Sequence, residues 1–240
     1  MIDSKRQEQK SPLCLVVLLL MLMTGYGCSH HHSQFQEQEY ERLVSLLSYE
    51  RVLESLQRIC PPFVDSPWEE FLHQMKLRLT SADSRTLSLK ESEILLLNCR
   101  KAISFAAPPD LIIISTEMLS TLPSESELAF LIAHELAHIA LEHISVGDSA
   151  RLEFQRAQER EADIFAVELL IAAHYNPWKA IEIFSHKRLF SQVEWHLSFT
   201  HPDLEERRKL LEDVIRASDS LPPATTSSRE FLRLKKIDLP

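Results

Sequence analysis

Residues 124–141 read SESELAFLIAHELAHIAL. Pro123 precedes the stretch, and Ser124 followed three positions later by Glu127 is a capping box. The serine oxygen can accept from the Glu127 amide while the Glu127 carboxylate reaches back to the Ser124 amide. From Leu128 to Leu141 apolar residues lie nearly all the way round a helix, which predicts a buried one. Three ionisable residues, His134, Glu135 and His138, interrupt that apolar surface. Burial is costly for such groups unless they are paired or bind a metal. Histidines four positions apart are displaced by only about 40° around the helix axis, so both imidazoles face the same way. His134-Glu135-Leu136-Ala137-His138 is thus the H-E-x-x-H pattern, with Glu135 placed as general base beside two metal ligands.

A catalytic metal of this kind needs a third protein ligand and an open position. One solution puts a histidine at position 144, which is Ile144 here, and a glycine where this chain has Leu141. His143 is one residue off and faces another side of the helix, so a helix-end role is expected for it. The other solution takes a glutamate from a following helix. Gln158-Glu159-Arg160-Glu161-Ala162-Asp163 offers Glu159 as the ligand and Asp163, one turn on, to orient a ligating imidazole. Glu161 points away from Asp163 and is the weaker candidate. A solvated charged face is the alternative reading of this run when it is taken alone.

Around this centre the chain offers material for one compact domain: 240 residues, 45% of them hydrophobic, with a formal charge of −9. Such acidity, with no basic run, argues against nucleic acid as a partner. A charged start leads into the apolar run Leu13–Met23 and then Thr24-Gly25-Tyr26-Gly27-Cys28. The run is too short for a bilayer, which needs about 20 residues, and suits a secretory signal. Residues 1–27 are therefore read as a signal peptide and Cys28 as a lipidated cysteine, although Gly25 stands where such signals carry leucine. Residues 28–38 are read as a tether. The expected location is the bacterial periplasm, with the lipid holding the chain to the outer membrane. Cys60 and Cys99 would then meet an oxidising compartment as a disulfide, or remain two buried thiols.

Apolar spacing predicts a helix from Gln36 to Ile59, ended by Pro61-Pro62, and a second from Trp68 to Leu79. Glu93–Asn98 and Leu111–Ser115 read as strands, with a turn at Pro108-Pro109-Asp110. A helix over about 149–173 should carry Glu159 and Asp163. Asn176-Pro177 should cap a third helix of this region, and His201-Pro202 should open a fourth that runs to about Ala217. The fold class expected is α+β, a mainly helical zincin-like domain with a small sheet beside the H-E-x-x-H helix. Its bounds are 39–217, with N-terminal helices over 35–80 and a flexible tail over 218–240.

Four blocks in order carry a further likeness: Ala102 to Pro108 with the strand after it, His134 to His138, Glu159 to Asp163, and Thr200-His201-Pro202 with Arg207. Together they resemble metallopeptidase family forty-eight, the gluzincin zinc peptidases that include HtpX, BepA and LoiP, in a lipoprotein-type form without TPR repeats. The resemblance implies one Zn2+ per chain, with His134, His138 and Glu159 as ligands and Glu135 as catalytic base. It assigns His201 to regulating or completing the metal site and Arg207 to bracing it. It implies a zinc metalloendopeptidase that cleaves misfolded or misassembled envelope proteins in quality control, near the outer-membrane assembly machinery, with the substrate extended along Leu111–Ser115. A chaperone that holds clients in the same cleft is the alternative. Lys101-Ala102 and Pro109-Asp110 depart from the family's pattern on the substrate side.

Overall fold

The computed structural model describes residues 50–51, 53–107, 110–143, 152–186, 204–218, 221–237 and 239. The signal, Cys28, the tether, most of the first predicted helix and His201 lie outside the described residues, as does the Thr200-His201-Pro202 block. No helix among the described residues is long and apolar enough to cross a membrane.

Helix α1 spans Pro67–Thr80 and starts with a capping box of its own, Ser66 with Glu69, and a proline at its first position. Its Trp68, Leu72, Met75 and Leu79 recur at helical spacing and are buried. A 3-10 helix over Ser84–Glu91 leads into strand β1, Glu93–Leu97. Strands β2, Ser104–Ala107, and β3, Leu111–Ser115, complete a three-stranded sheet in the order β1-β3-β2. β1 pairs with β3 in parallel, β2 in antiparallel. Helix α2, Thr116–Thr121, follows directly and is capped by Ser115. Next come α3, Glu125–Ala140; α4, Leu152–Ala172; and α5, Pro177–Ala180, which passes into a 3-10 turn at Ile181–Ser185. Helices α6, Leu204–Ala217, and α7, Arg229–Leu234, close the chain. The α+β class is as expected.

α3 lies between the sheet and α4, and a single large apolar cluster runs through all three layers. Leu128, Ala129, Ile132, Ala133, Leu136 and Ala137 are sealed within it. The helix cap is the one read from the sequence: Ser124 Oγ accepts from the Glu127 amide and Glu127 accepts from the Ser124 amide.

The two edges of the sheet differ. On the outer side of β1 the segment at 61–63 pairs with the strand, through Phe63 N to Leu96 O (2.8 Å) and Asn98 N to Pro61 O (2.8 Å). The Cys60–Cys99 disulfide staples that segment in place and settles the pairing the sequence left open. On the other side, among the described residues, β2 has β3 as its single partner strand. This corrects the expected substrate strand. Leu111–Ser115 is the central strand, its backbone already taken up on both sides, so no peptide can add to it. Among the described residues, the available edge belongs to β2.

The flexible tail is also corrected. Residues 225–228 lie against the start of α3: the Ser126 amide donates to Thr226 O (3.1 Å), Ser126 Oγ to Thr225 O (2.7 Å) and the Ser228 amide to Glu125 Oε2 (2.6 Å). Phe231 and Leu234 of α7 are fully buried, and Phe231 meets Trp68 edge to face at 5.9 Å. Lys235 Nζ donates to the carbonyls of Leu119, Ser120 and Leu122 at 2.8, 2.7 and 3.0 Å, closing the C-terminal end of α2. A polar, proline-containing run reads as loose from composition, yet it ties down because its backbone satisfies buried donors elsewhere.

Candidate metal centre

Buried polar groups on α3 find their partners on α4 and α6. His134 Nε2 and His138 Nε2 lie 3.0 Å apart. Glu159 of α4 sits against both, with Oε2 3.5 Å from His134 Nε2 and Oε1 3.4 Å from His138 Nε2. Donor atoms from these three residues all fall within 4.8 Å of one another. His134, Glu135 and Glu159 are buried and His138 is half-buried. Glu135 Oε1 accepts a hydrogen bond from Ser104 Oγ at 2.9 Å. The general-base candidate is thereby tied to the open-edge strand.

Behind the histidines is a buried ion pair. Arg207 of α6 grips Asp163 with two parallel hydrogen bonds, Nε to Oδ2 (2.7 Å) and Nη2 to Oδ1 (2.6 Å). Burial works against charge on Asp163, but Arg207 overrides it and holds the carboxyl below its ordinary range. Asp163 Oδ1 stands 3.1 Å from His134 Nδ1. The ring nitrogen is buried and the N–H is not well aimed at that oxygen, so the contact is electrostatic first and a hydrogen bond second. Arg207 Nη2 also comes within 3.6 Å of Glu159. The guanidinium rests over the Phe184 ring, which meets Phe130 edge to face, and Phe130 stacks on His134. An apolar floor thus backs the polar cluster.

The residues present fit a divalent cation. Lone pairs of two imidazoles and a carboxylate converge on one region, an arrangement that repels itself unless a positive charge sits among them. The cluster also holds the carboxylates of Glu135, Glu159 and Asp163 against one guanidinium, Arg207, an excess of negative charge that a 2+ ion offsets. The local electrostatics make the same demand. Burial lowers the His134 pKa, but Asp163 and then Glu159 more than reverse this, and it is pushed up to about 10. A proton answers the call for positive charge.

The C-terminal end of α3 adds a group the sequence did not assign to the centre. Glu142 adopts φ 53°, a left-handed conformation usually left to glycine, at a cost of roughly 1–3 kcal/mol. The His143 amide then donates to His138 O (2.9 Å) and the Glu142 amide to Ile139 O (3.1 Å), the pair of bonds of a Schellman turn. The turn folds the His143 ring back, so that its Nδ1 lies 3.0 Å from His138 Nδ1. Burial, followed by the neighbouring His138, keeps the His143 pKa below its ordinary value. Glu161 is exposed and stands beside His143, not beside the ligands.

The sequence candidates therefore divide. His134, Glu135, His138, Glu159, Asp163 and Arg207 are brought together; Arg207 clamps Asp163. His201 and Cys28 lie outside the described residues. The structure adds Ser104 and His143, which sequence pattern does not mark as part of the centre. Fold and cluster together define a candidate metal centre in which an H-E-x-x-H helix is completed by a glutamate from the next long helix. Two family models match the chain, Peptidase family M48 over residues 72–152 and Peptidase U49 over residues 126–220. The chain is also similar to "Mitochondrial metalloendopeptidase OMA1" of Arabidopsis thaliana, with 26% identity over 148 residues. That alignment covers 50% of this chain and 30% of the plant protein.

Proposed function

We propose that this chain is a zinc metalloendopeptidase that hydrolyses peptide bonds in extended segments of misfolded or misassembled cell-envelope proteins. The reading rests on one observation: His134 Nε2, His138 Nε2 and Glu159 converge while Glu135 stands beside them. Zinc bound there supplies Lewis acidity, toward a water and toward the scissile carbonyl. Glu135 accepts the proton of the attacking water on its carboxylate and returns it to the leaving amine. Ser104 Oγ holds Oε1 of that carboxylate, so the other oxygen is the one free to collect the proton. Asp163, kept ionised by Arg207, steadies the His134 ring from its far side. An extended peptide adds to the open edge of β2, by main-chain hydrogen bonds, and its backbone then runs past Ser104 toward Glu135.

A periplasmic, lipid-anchored location at the outer membrane is part of the proposal. Its support is the apolar run and Cys28 in the sequence, together with the Cys60–Cys99 disulfide, a bond that persists in oxidising compartments. The decisive variant is Glu135→Gln. It should retain stoichiometric zinc and lose about 10²–10⁴-fold in the cleavage rate of an unfolded protein substrate. Near-normal cleavage by the zinc-loaded variant would remove Glu135 from the chemistry. Wild-type protein that takes up no zinc would remove the metal reading altogether.

A further inference from the structure

We infer that His143 is a positioning residue for the metal centre: its Nδ1 accepts a hydrogen bond from His138 and so fixes which His138 nitrogen faces the ion. The inference rests on the reading of His134, His138 and Glu159 as ligands.

The argument begins with proton bookkeeping on two rings. His138 Nδ1 and His143 Nδ1 are 3.0 Å apart, so one carries the hydrogen and the other receives it. The opposite nitrogen of His143, Nε2, stands 3.4 Å from Glu161 Oε2. A carboxylate can only accept, so His143 Nε2 carries that ring's proton. His143 Nδ1 is then the acceptor, and His138 Nδ1 the donor. The lone pair of His138 is left on Nε2, which is the nitrogen aimed at His134 Nε2 and Glu159. Glu161, His143 and His138 form a relay that sets a tautomer, the arrangement that metal-bound histidines use to stay oriented and basic.

The same geometry shows that His143 is not itself a ligand. It contacts the Nδ1 side of the His138 ring, away from Glu159, so it and His138 cannot reach one ion together. Its side chain is 6% exposed, so water competes poorly for the bond. The Schellman turn at Glu142, φ 53°, carries His143 back over His138.

The test is zinc affinity of the full chain, measured by chelator competition with Zn2+ alone, beside melting curves of the metal-free proteins. His143→Phe keeps a ring and removes the acceptor; it should weaken zinc binding about 10–100-fold. His143→Asn, whose amide oxygen can stand where Nδ1 stood, should recover affinity to within about fivefold of wild type. Glu161→Ala changes an exposed residue, leaves folding intact and should weaken binding by about three- to tenfold. Wild-type affinity in a folded His143→Phe protein would overturn the inference. If that variant does not fold, unchanged affinity in Glu161→Ala would overturn it instead. Failure of the wild type to bind zinc would sink the metal reading and is thus a separate result.

Discussion

The two ends of α3 are built on different principles. Its start is held by devices that serve stability: the Ser124–Glu127 capping box, a sealed apolar face and the backbone of residues 225–228 laid across its first turn. Its end is held by devices that serve chemistry. There the polar residues His134, Glu135 and His138 depend on Glu159, Asp163, Ser104 and His143, and the last of these is reached through a left-handed glutamate. One helix thus has an anchored half and a working half. The anchored half lets the working half carry buried charge and strain that would not hold by themselves.

That contrast can be broken or sharpened by separating stability from metal affinity. The largest effect is expected at the anchor. Phe231→Ala empties a fully buried site under α1 and should cost about 3–5 kcal/mol of folding stability, read by urea or thermal unfolding. A loose tail would give nearly no change. The second test concerns the working half. Because the His134 pKa is raised to about 10, the protonated ring contributes stability to the metal-free protein in full below about 6.5, its ordinary value, and loses that contribution as pH rises through about 10. On the proposed reading a bound zinc ion would displace the same proton, so affinity should climb about tenfold per pH unit, or about a hundredfold from pH 6 to pH 8. A flat profile by chelator competition would mean that Asp163 and Glu159 do not hold the proton. The smallest effect is at the cap: Ser124→Ala should cost about 1 kcal/mol in unfolding experiments while zinc affinity stays unchanged. A fall in affinity there would erase the distinction between the halves.

What could be read in the sequence follows the same division. His134, Glu135 and His138 were legible because helical period alone sets them on one face, and Ser124 marks the helix start by its own local chemistry. Glu159 and Asp163 were legible one turn apart on a second helix, though only the tertiary fold shows Arg207 gripping Asp163. The sheet was harder. β2 is the four-residue Ser-Phe-Ala-Ala, without alternation or β-branched residues, so no local signal marks it as the open edge. Leu111–Ser115, by contrast, carries a clear signal: three consecutive isoleucines without alternation suit a strand covered on both faces, hence a central one. His143 could not be placed, because its direction depends on a positive φ at Glu142 that residue type does not announce. Phe231 and Leu234 were lost behind a proline-containing run whose composition suggested a tail.

The edge of β2, open among the described residues, has a consequence for how copies of the chain meet. Unpaired strand edges template stacking between copies, and soluble proteins shorten, charge or cover them. Here one side of the sheet is covered by residues 61–63 under the disulfide, while the other is limited to the four residues of β2. At about 3.3 Å per residue, that edge spans roughly 13 Å. On the proposed reading, that length suits a few residues of a visiting backbone, and it offers little to a second copy.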